Sequence, residues 1–297
     1  MPAPSAPRLR IALVYATLGR AEMLRQNIDR LPLQSRQPDL VVVSAVSEAD
    51  TAGLDRSPVA VETLYGTKGS CIQRNRALDH IGNRADIVLF MDDDFLPAND
   101  YLEEMARVFE EHPDIAGATG RMIADGIKTP GYTLDQAIAM LAADTRPAEV
   151  HLTPRTTLYG CNMAVRLATL GDLRFDERLP LYGWLEDLDL TYRLSKRGTL
   201  ISTEAMAGVH LGVKGGRTSG VRFGYSQIAN PVYMLRRGTI PRKLAWERMV
   251  RNLASNVVLS VRPEPYVDRV GRLRGNLRAI GDVLLGRVDP ERILTME

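Results

Sequence analysis

A short apolar run, Ile87-Val-Leu-Phe-Met91, ends in three consecutive aspartates, Asp92-Asp93-Asp94, and this stretch constrains the chain more than any other. The run is too short for a helix, and its β-branched and aromatic residues suit a buried strand. Carboxylates at the carboxyl end of a parallel strand stand where open α/β sheets bind ligands. Side chains alternate along extended backbone, so Asp92 and Asp94 are expected on one side and Asp93 on the other. Three adjacent anions repel one another, which calls for a cation among them. Oxygen ligands suit a hard divalent ion, Mg²⁺ or Mn²⁺. Read alone, the triplet also fits a solvated acidic turn that caps the next helix. The rest of the chain separates the two readings.

Residues 8–15 and 40–46 read as further buried strands and 59–64 as a shorter one. Residues 21–30, 71–81 and 99–111 read as helices, with Pro32 and Pro113 ending the first and last. The order β-α-β-β-α-β-α predicts an α/β layered fold with a mainly parallel sheet. Residues 115–122, 157–165 and 199–205 add strands; 134–143 and 183–196 add helices, the latter stopped by Gly198. Residues 213–224 carry four glycines and read as a mobile loop. Residues 242–261 and 266–285 have helical periodicity and no strand signal. In the last, Val270, Leu273, Leu277, Ile280 and Leu284 form an apolar stripe with Arg272, Arg274 and Arg278 off it.

Composition narrows the partners more than the fold. The net charge is only +2, yet residues 226–297 hold thirteen Lys/Arg against seven Asp/Glu, a net +6 that leaves −4 for residues 1–225. Such a basic helical segment fits reversible contact with an anionic membrane, or helices packed on the domain with arginines outward. No nucleic-acid partner is expected. No run approaches the length of a membrane span, and the opening residues lack the apolar core of a signal peptide. Cys71 and Cys161 form neither a metal-type spacing nor a disulfide framework. The expectation is a cytoplasmic protein, with that basic segment as its peripheral contact to the inner face of the membrane.

A second acidic site lies in Tyr182-Gly183-Trp184-Leu185-Glu186-Asp187. Glu186 and Asp187 fall in the first turn of a helix, where carboxylates are favoured by the macrodipole alone. The aromatic approach sets this one apart, because rings beside acids suit a sugar. His210 stands before the glycine-rich stretch and could join carboxylates around Mn²⁺. Lys214 and Arg217 behind it could close over a diphosphate. The helix opening at Ser70 offers an N-terminal anion site, with Arg74 in reach of a nucleotide.

In order and character these pieces resemble family 2 glycosyltransferases of the GT-A fold, of the kind that build bacterial surface or extracellular polysaccharide. The matching residues are Thr17 and Arg20; Gly69-Ser70 with Arg74-Asn75; the Asp-X-Asp element within Asp92-Asp93-Asp94; Gly160-Cys161-Asn162-Met163; Phe175-Asp176-Glu177; Gly183 to Asp189; and Val209-His210. The resemblance implies a GT-A catalytic domain over residues 1–225, with residues 226–297 as a basic helical extension. It implies that Thr17, Arg20, Ser47, Glu48 and Asp50 line the base and ribose pocket and that Arg74 approaches the base. Asp92 and Asp93 would meet the nucleotide; Asp94, Asp92 and His210 would hold Mn²⁺ or Mg²⁺. Asp187, with Glu186 beside it, would be the catalytic base, kept ionised by the helix N-terminus. The implied activity is inverting transfer of a sugar from a nucleotide donor, UDP-linked in the leading reading, to a hydroxyl of a glycan or lipid-linked glycan. A sugar-phosphate nucleotidyltransferase and a non-catalytic nucleotide-sugar-binding subunit are the alternatives.

Overall fold

The computed structural model describes residues 8–147, 149–214, 219–262 and 264–296. Its first half is a block of parallel strands. β1 (Ile11–Ala16) lies between β2 (Leu40–Ala45) and β4 (Ile87–Met91), and β3 (Glu62–Tyr65) adds beyond β2. β1, β2 and β4 are apolar on both faces because each face meets its own core. Ile11, Leu13 and Tyr15 of β1 pack with α1 (Ala21–Ile28) and α3 (Tyr101–Glu111), through Leu24, Ile28, Leu102 and Met105. Ala12 and Val14 pack on the other face with Leu78 and Ile81 of α2 (Ser70–Ile81) and Leu190 and Leu194 of α6 (Glu186–Leu194). A continuous hydrophobic run is what a strand covered on both sides requires.

The remaining strands are β5 (Phe95–Pro97), β6 (Ile115–Asp125), β7 (Leu152–Arg155), β8 (Asn162–Arg166) and β9 (Thr199–His210). All nine described strands form one sheet in the order β3-β2-β1-β4-β8-β6-β9-β5, with β7 also paired to β9. Two pairings build the site. β8 runs antiparallel to β4, so Asn162 stands opposite Met91 and the Asp92 N–H reaches the Cys161 carbonyl at 3.0 Å. β5 runs antiparallel to the end of β9, setting Phe95 opposite His210. The chain that leaves Asp94 is therefore stitched at once to the strand that delivers the imidazole.

The smaller helices are α4 (Leu134–Ala143) and α5 (Leu167–Leu170); α7 (Gly220–Arg237), α8 (Arg242–Ser260) and α9 (Arg269–Leu284) form the C-terminal bundle. α7 runs through the expected division at 225/226. It also corrects the mobile loop expected over 213–224. Residues 215–218 lie outside the described residues, but Gly220 and Gly224 are helical. Their glycines serve contact with α9: a Cβ on Gly224 would lie 2.0 Å from the Arg272 carbonyl oxygen, and one on Gly275 would lie 2.1 Å from that of Val221. Small residues here let two helix backbones touch. β5, β7 and α5 were not foreseen, being three or four residues long.

Candidate active site

The aspartate triplet forms a tight turn, closed by the Phe95 N–H on the Asp92 carbonyl at 3.1 Å. The backbone is not extended there, yet the three side chains sort as alternation would have them. Asp93 turns to the loop that follows β1, accepting from Thr17 Oγ1 at 2.8 Å and pairing with Arg20 Nη1 at 2.8 Å. Asp92, Asp94 and His210 offer ligand atoms that all lie within 4.8 Å of one another. His210 Nε2 is 3.3 Å from Asp94 Oδ1, and its Nδ1 is 3.0 Å from Asp125 Oδ1. That second bond orients the ring, the arrangement by which carboxylates commonly fix metal-binding histidines.

Electrostatics divides these groups. Burial pushes the Asp93 carboxyl up, against Arg20, to about 6. Burial acts likewise on Asp94, but the His210 hydrogen bond, the charges of His210 and Arg20 and the Val213 N–H outweigh it and hold this carboxyl below its ordinary range. Burial would lower His210; the hydrogen bonds to Asp125 and Asp94 prevail and lift it to about 10. Two carboxylates and one imidazole within this span fit a divalent ion of the Mn²⁺ or Mg²⁺ type.

The second acidic site opens α6. The approach to it is strained: Leu181 and Leu185 have φ of 59° and 73°, and Gly183 has 67°. A non-glycine residue in this left-handed region costs about 1–2 kcal/mol. The turn presents Trp184, whose ring lies 6.5 Å from that of Tyr182 and 5.0 Å from that of Phe223. Asp187 accepts from the Gly160 N–H at 2.9 Å and the Leu188 N–H at 2.8 Å. Gly160 permits that approach, since a Cβ there would stand 3.1 Å from the Asp187 Cβ. Glu186 is held differently, by Arg74 Nη1 at 2.6 Å. The helix N-terminus does not leave this pair in the ordinary carboxylate range as expected. Burial pushes both carboxyls up, the Asp187 charge adds to the rise of Glu186, and Arg74 only partly offsets it.

Thr17, Arg20, Arg74, Asp92, Asp93, Trp184, Glu186 and Asp187 line one cleft of about 440 Å³. A family model for glycosyl transferase family 2 matches residues 17–166, half of the chain and most of these residues. The chain belongs to that family. Its fold agrees with several solved structures. The mannosyltransferase PcManGT from Pyrobaculum calidifontis, solved with GDP-Man and Mn²⁺, is 15% identical with a TM-score of 0.57, over 98% of this chain and 79% of that one. S. aureus TarS 1-349 is 16% identical with a TM-score of 0.57, over 96% and 82%. GalNAc-T7, solved with UDP, GalNAc and Mn²⁺, is 14% identical with a TM-score of 0.51, over 88% and 59%. No curated protein matches the chain in sequence.

Within this glycosyltransferase several expected site residues stand elsewhere than the sequence implied. Ser47 and Glu48 are exposed, and Glu48 is not among the residues lining the cleft. Asp50 is buried and structural: it accepts from the Gly19 N–H at 2.6 Å and the Ser47 N–H at 2.9 Å, fixing the turn that carries Arg20. Arg74 lines the cleft and bridges Glu186 and Asp92, the latter at 3.2 Å. Lys214 Nζ donates to the Gly126 and Ile127 carbonyls, both at 2.9 Å, which anchors the chain after β9. Arg217 lies outside the described residues. Asp125 was missed because β6 runs three residues past the expected end, and only its parallel register with β9 sets Asp125 opposite His210. Gln73 was also missed; it ties the first-strand turn to β2 by donating to the Thr17 and Ser44 carbonyls.

Proposed function

We propose that this enzyme transfers a sugar, with inversion, from a nucleotide donor to a hydroxyl of a glycan or lipid-linked glycan. The observation that carries the reading is one cleft lined by both acidic centres, Asp92 beside the Asp94–His210 corner and Glu186–Asp187 on α6. A divalent ion, Mn²⁺ or Mg²⁺, held by Asp92, Asp94 and His210 would neutralise charge developing on the leaving diphosphate. The relatives solved with GDP-Man and with UDP support a nucleotide-sugar donor; UDP is the first to test. Thr17, Arg20 and Asp93 shape the nucleotide end. Asp187 takes the proton of the acceptor hydroxyl as its oxygen bonds to the anomeric carbon and the bond to diphosphate breaks. Its place suits a base: the Gly160 and Leu188 N–H groups hold its carboxylate where it lines the cleft. Glu186, tied to Arg74 Nη1 at 2.6 Å, orients the acceptor.

Transfer assays with UDP-, GDP- and dTDP-sugars, with Mn²⁺ or excess chelator, test this reading. Turnover should need the ion, and Asp94→Asn should lose it while remaining folded. NMR of fresh product should give the anomer opposite to the donor's. Full turnover in chelator would remove the metal role, and a retained anomer the inversion.

The reading includes a peripheral contact with anionic membrane. No helix of the described residues is long and apolar enough to cross a bilayer. Yet among the described residues eleven of the sixteen exposed large apolar side chains lie beyond residue 240, which concentrates them on the C-terminal segment. Trp246, Val250, Val257 and Val258 of α8 and Leu277 and Leu284 of α9 are among them. Arg251, Arg274 and Arg278 are exposed on the same helices. An apolar face with interspersed cations is the pattern of a helix lying in a lipid interface.

A further inference from the structure

Among the described residues, five cationic side chains line the cleft: Arg20, Lys68, Arg74, Arg222 and Arg248. Arg20 is paired with Asp93 and Asp94, and Arg74 with Asp92 and Glu186. Arg222 and Arg248 differ. They come from α7 and α8, and neither forms an ion pair with a carboxylate among the described residues.

The wall that carries them is rigidly built. Arg222 Nε donates to the Met296 carbonyl at 2.8 Å, and the next residue, Phe223, packs its ring against Trp184 at 5.0 Å and Tyr182 at 5.7 Å. Asn230, further along α7, donates to the Trp184 carbonyl at 2.8 Å. On α8, Leu244 and Ala245 share an apolar cluster with Trp184, Leu185 and Leu188, one turn before Arg248. The stretches of α7 and α8 that carry Arg222 and Arg248 thus pack on the Trp184–Leu188 segment, from which α6 presents Asp187 to the same cleft. Arg248 Nε is buried without a hydrogen-bond partner, and so is Trp184 Nε1. Each of these atoms can only donate, so what they lack is an acceptor.

We propose that Arg222 and Arg248 form an anion subsite on the acceptor side, taking a phosphate or carboxylate that the acceptor carries near its reacting hydroxyl. The subsite rests on the glycosyltransferase reading with Asp187 as base. Guanidinium forks match phosphate and carboxylate oxygens in pairs, which would hold the acceptor in one register against Asp187. The donor's diphosphate would find separate counter-charge in a divalent ion held at the Asp92–Asp94–His210 corner. An acidic donor sugar would present the same chemistry as an acidic acceptor, so the test must separate them.

Calorimetric titration of the full chain with glycerol 1-phosphate, in saturating nucleotide and Mg²⁺, provides the test. The nucleotide-loaded wild type should bind the probe. Arg222→Gln/Arg248→Gln should bind it at least tenfold more weakly, with nucleotide–Mg²⁺ affinity within about twofold of wild type. The Lys/Lys double variant should recover part of the loss. Three results would overturn the subsite: undiminished binding in the Gln/Gln variant, marking an adventitious ion only; competition between probe and nucleotide, marking the donor diphosphate site; or a preference for UDP-glucuronate over UDP-glucose that the Gln/Gln variant loses, marking an acidic donor sugar. A wild type that binds no nucleotide with Mg²⁺ would instead sink the glycosyltransferase reading, and the acceptor assignment with it.

Discussion

Arg74 Nη1 lies 2.6 Å from Glu186 Oε1, and this buried pair joins the two acidic centres, because Nη2 of the same guanidinium lies 3.2 Å from Asp92. The cation lowers the pKa of Glu186 and Asp187 against the burial that raises them. A base acts when ionised, so the rate falls as pH drops through the pair's apparent pKa. That acid limb should lie above the unperturbed Asp value of 3.8. Arg74→Gln removes a charge favouring the ionised form and should move the limb to higher pH. The profile of kcat/KM against pH reports it, and the value belongs to the pair, not to one residue. An unmoved or lowered limb would remove the proposed link.

Asp187 and Glu186 should separate on substitution. Asp187→Asn keeps an oxygen for one backbone N–H but cannot take a proton. Turnover should fall by roughly 10²–10⁴. Donor and metal binding, measured by calorimetry, should change little. Near-normal turnover would refute the base assignment.

Gly224→Ala should destabilise the C-terminal bundle. The added Cβ would meet the Arg272 carbonyl oxygen at 2.0 Å, and backbone cannot swing aside as a side chain can. Overpacking of this kind costs about 1–3 kcal/mol. Urea unfolding should show a lower midpoint at unchanged slope. Gly281→Ala is the control, since a Cβ there meets nothing within 4 Å.

Vesicles should distinguish the two readings of the basic extension. Binding to vesicles rich in anionic lipid should weaken with salt, and Trp246 emission should shift to the blue on binding. Val257→Asp/Val258→Asp, at exposed positions, should bind more weakly without loss of fold. Sedimentation indifferent to anionic lipid and salt would leave the helices as packing elements alone.

The features legible in the sequence are those whose cause is local. A strand covered on both faces must be apolar throughout, so β1, β2 and β4 stood out, and carboxylates at the end of β4 marked the site. The first turn of α6 announced itself by its acids and aromatic approach. What only the tertiary structure decided is which charges meet. Arg74 and Glu186 are 112 residues apart in the chain, and His210 and Asp125 are 85 apart. The first contact depends on α2 and α6 packing on the same face of the sheet, and the second on the register of β6 with β9. The glycines of 220 and 224 carry the same lesson. A missing side chain permits either mobility or close contact, and only the presence of α9 against α7 selects contact. Long charged side chains and glycines respond to neighbours brought from far along the chain, and hydrophobic periodicity does not encode those neighbours.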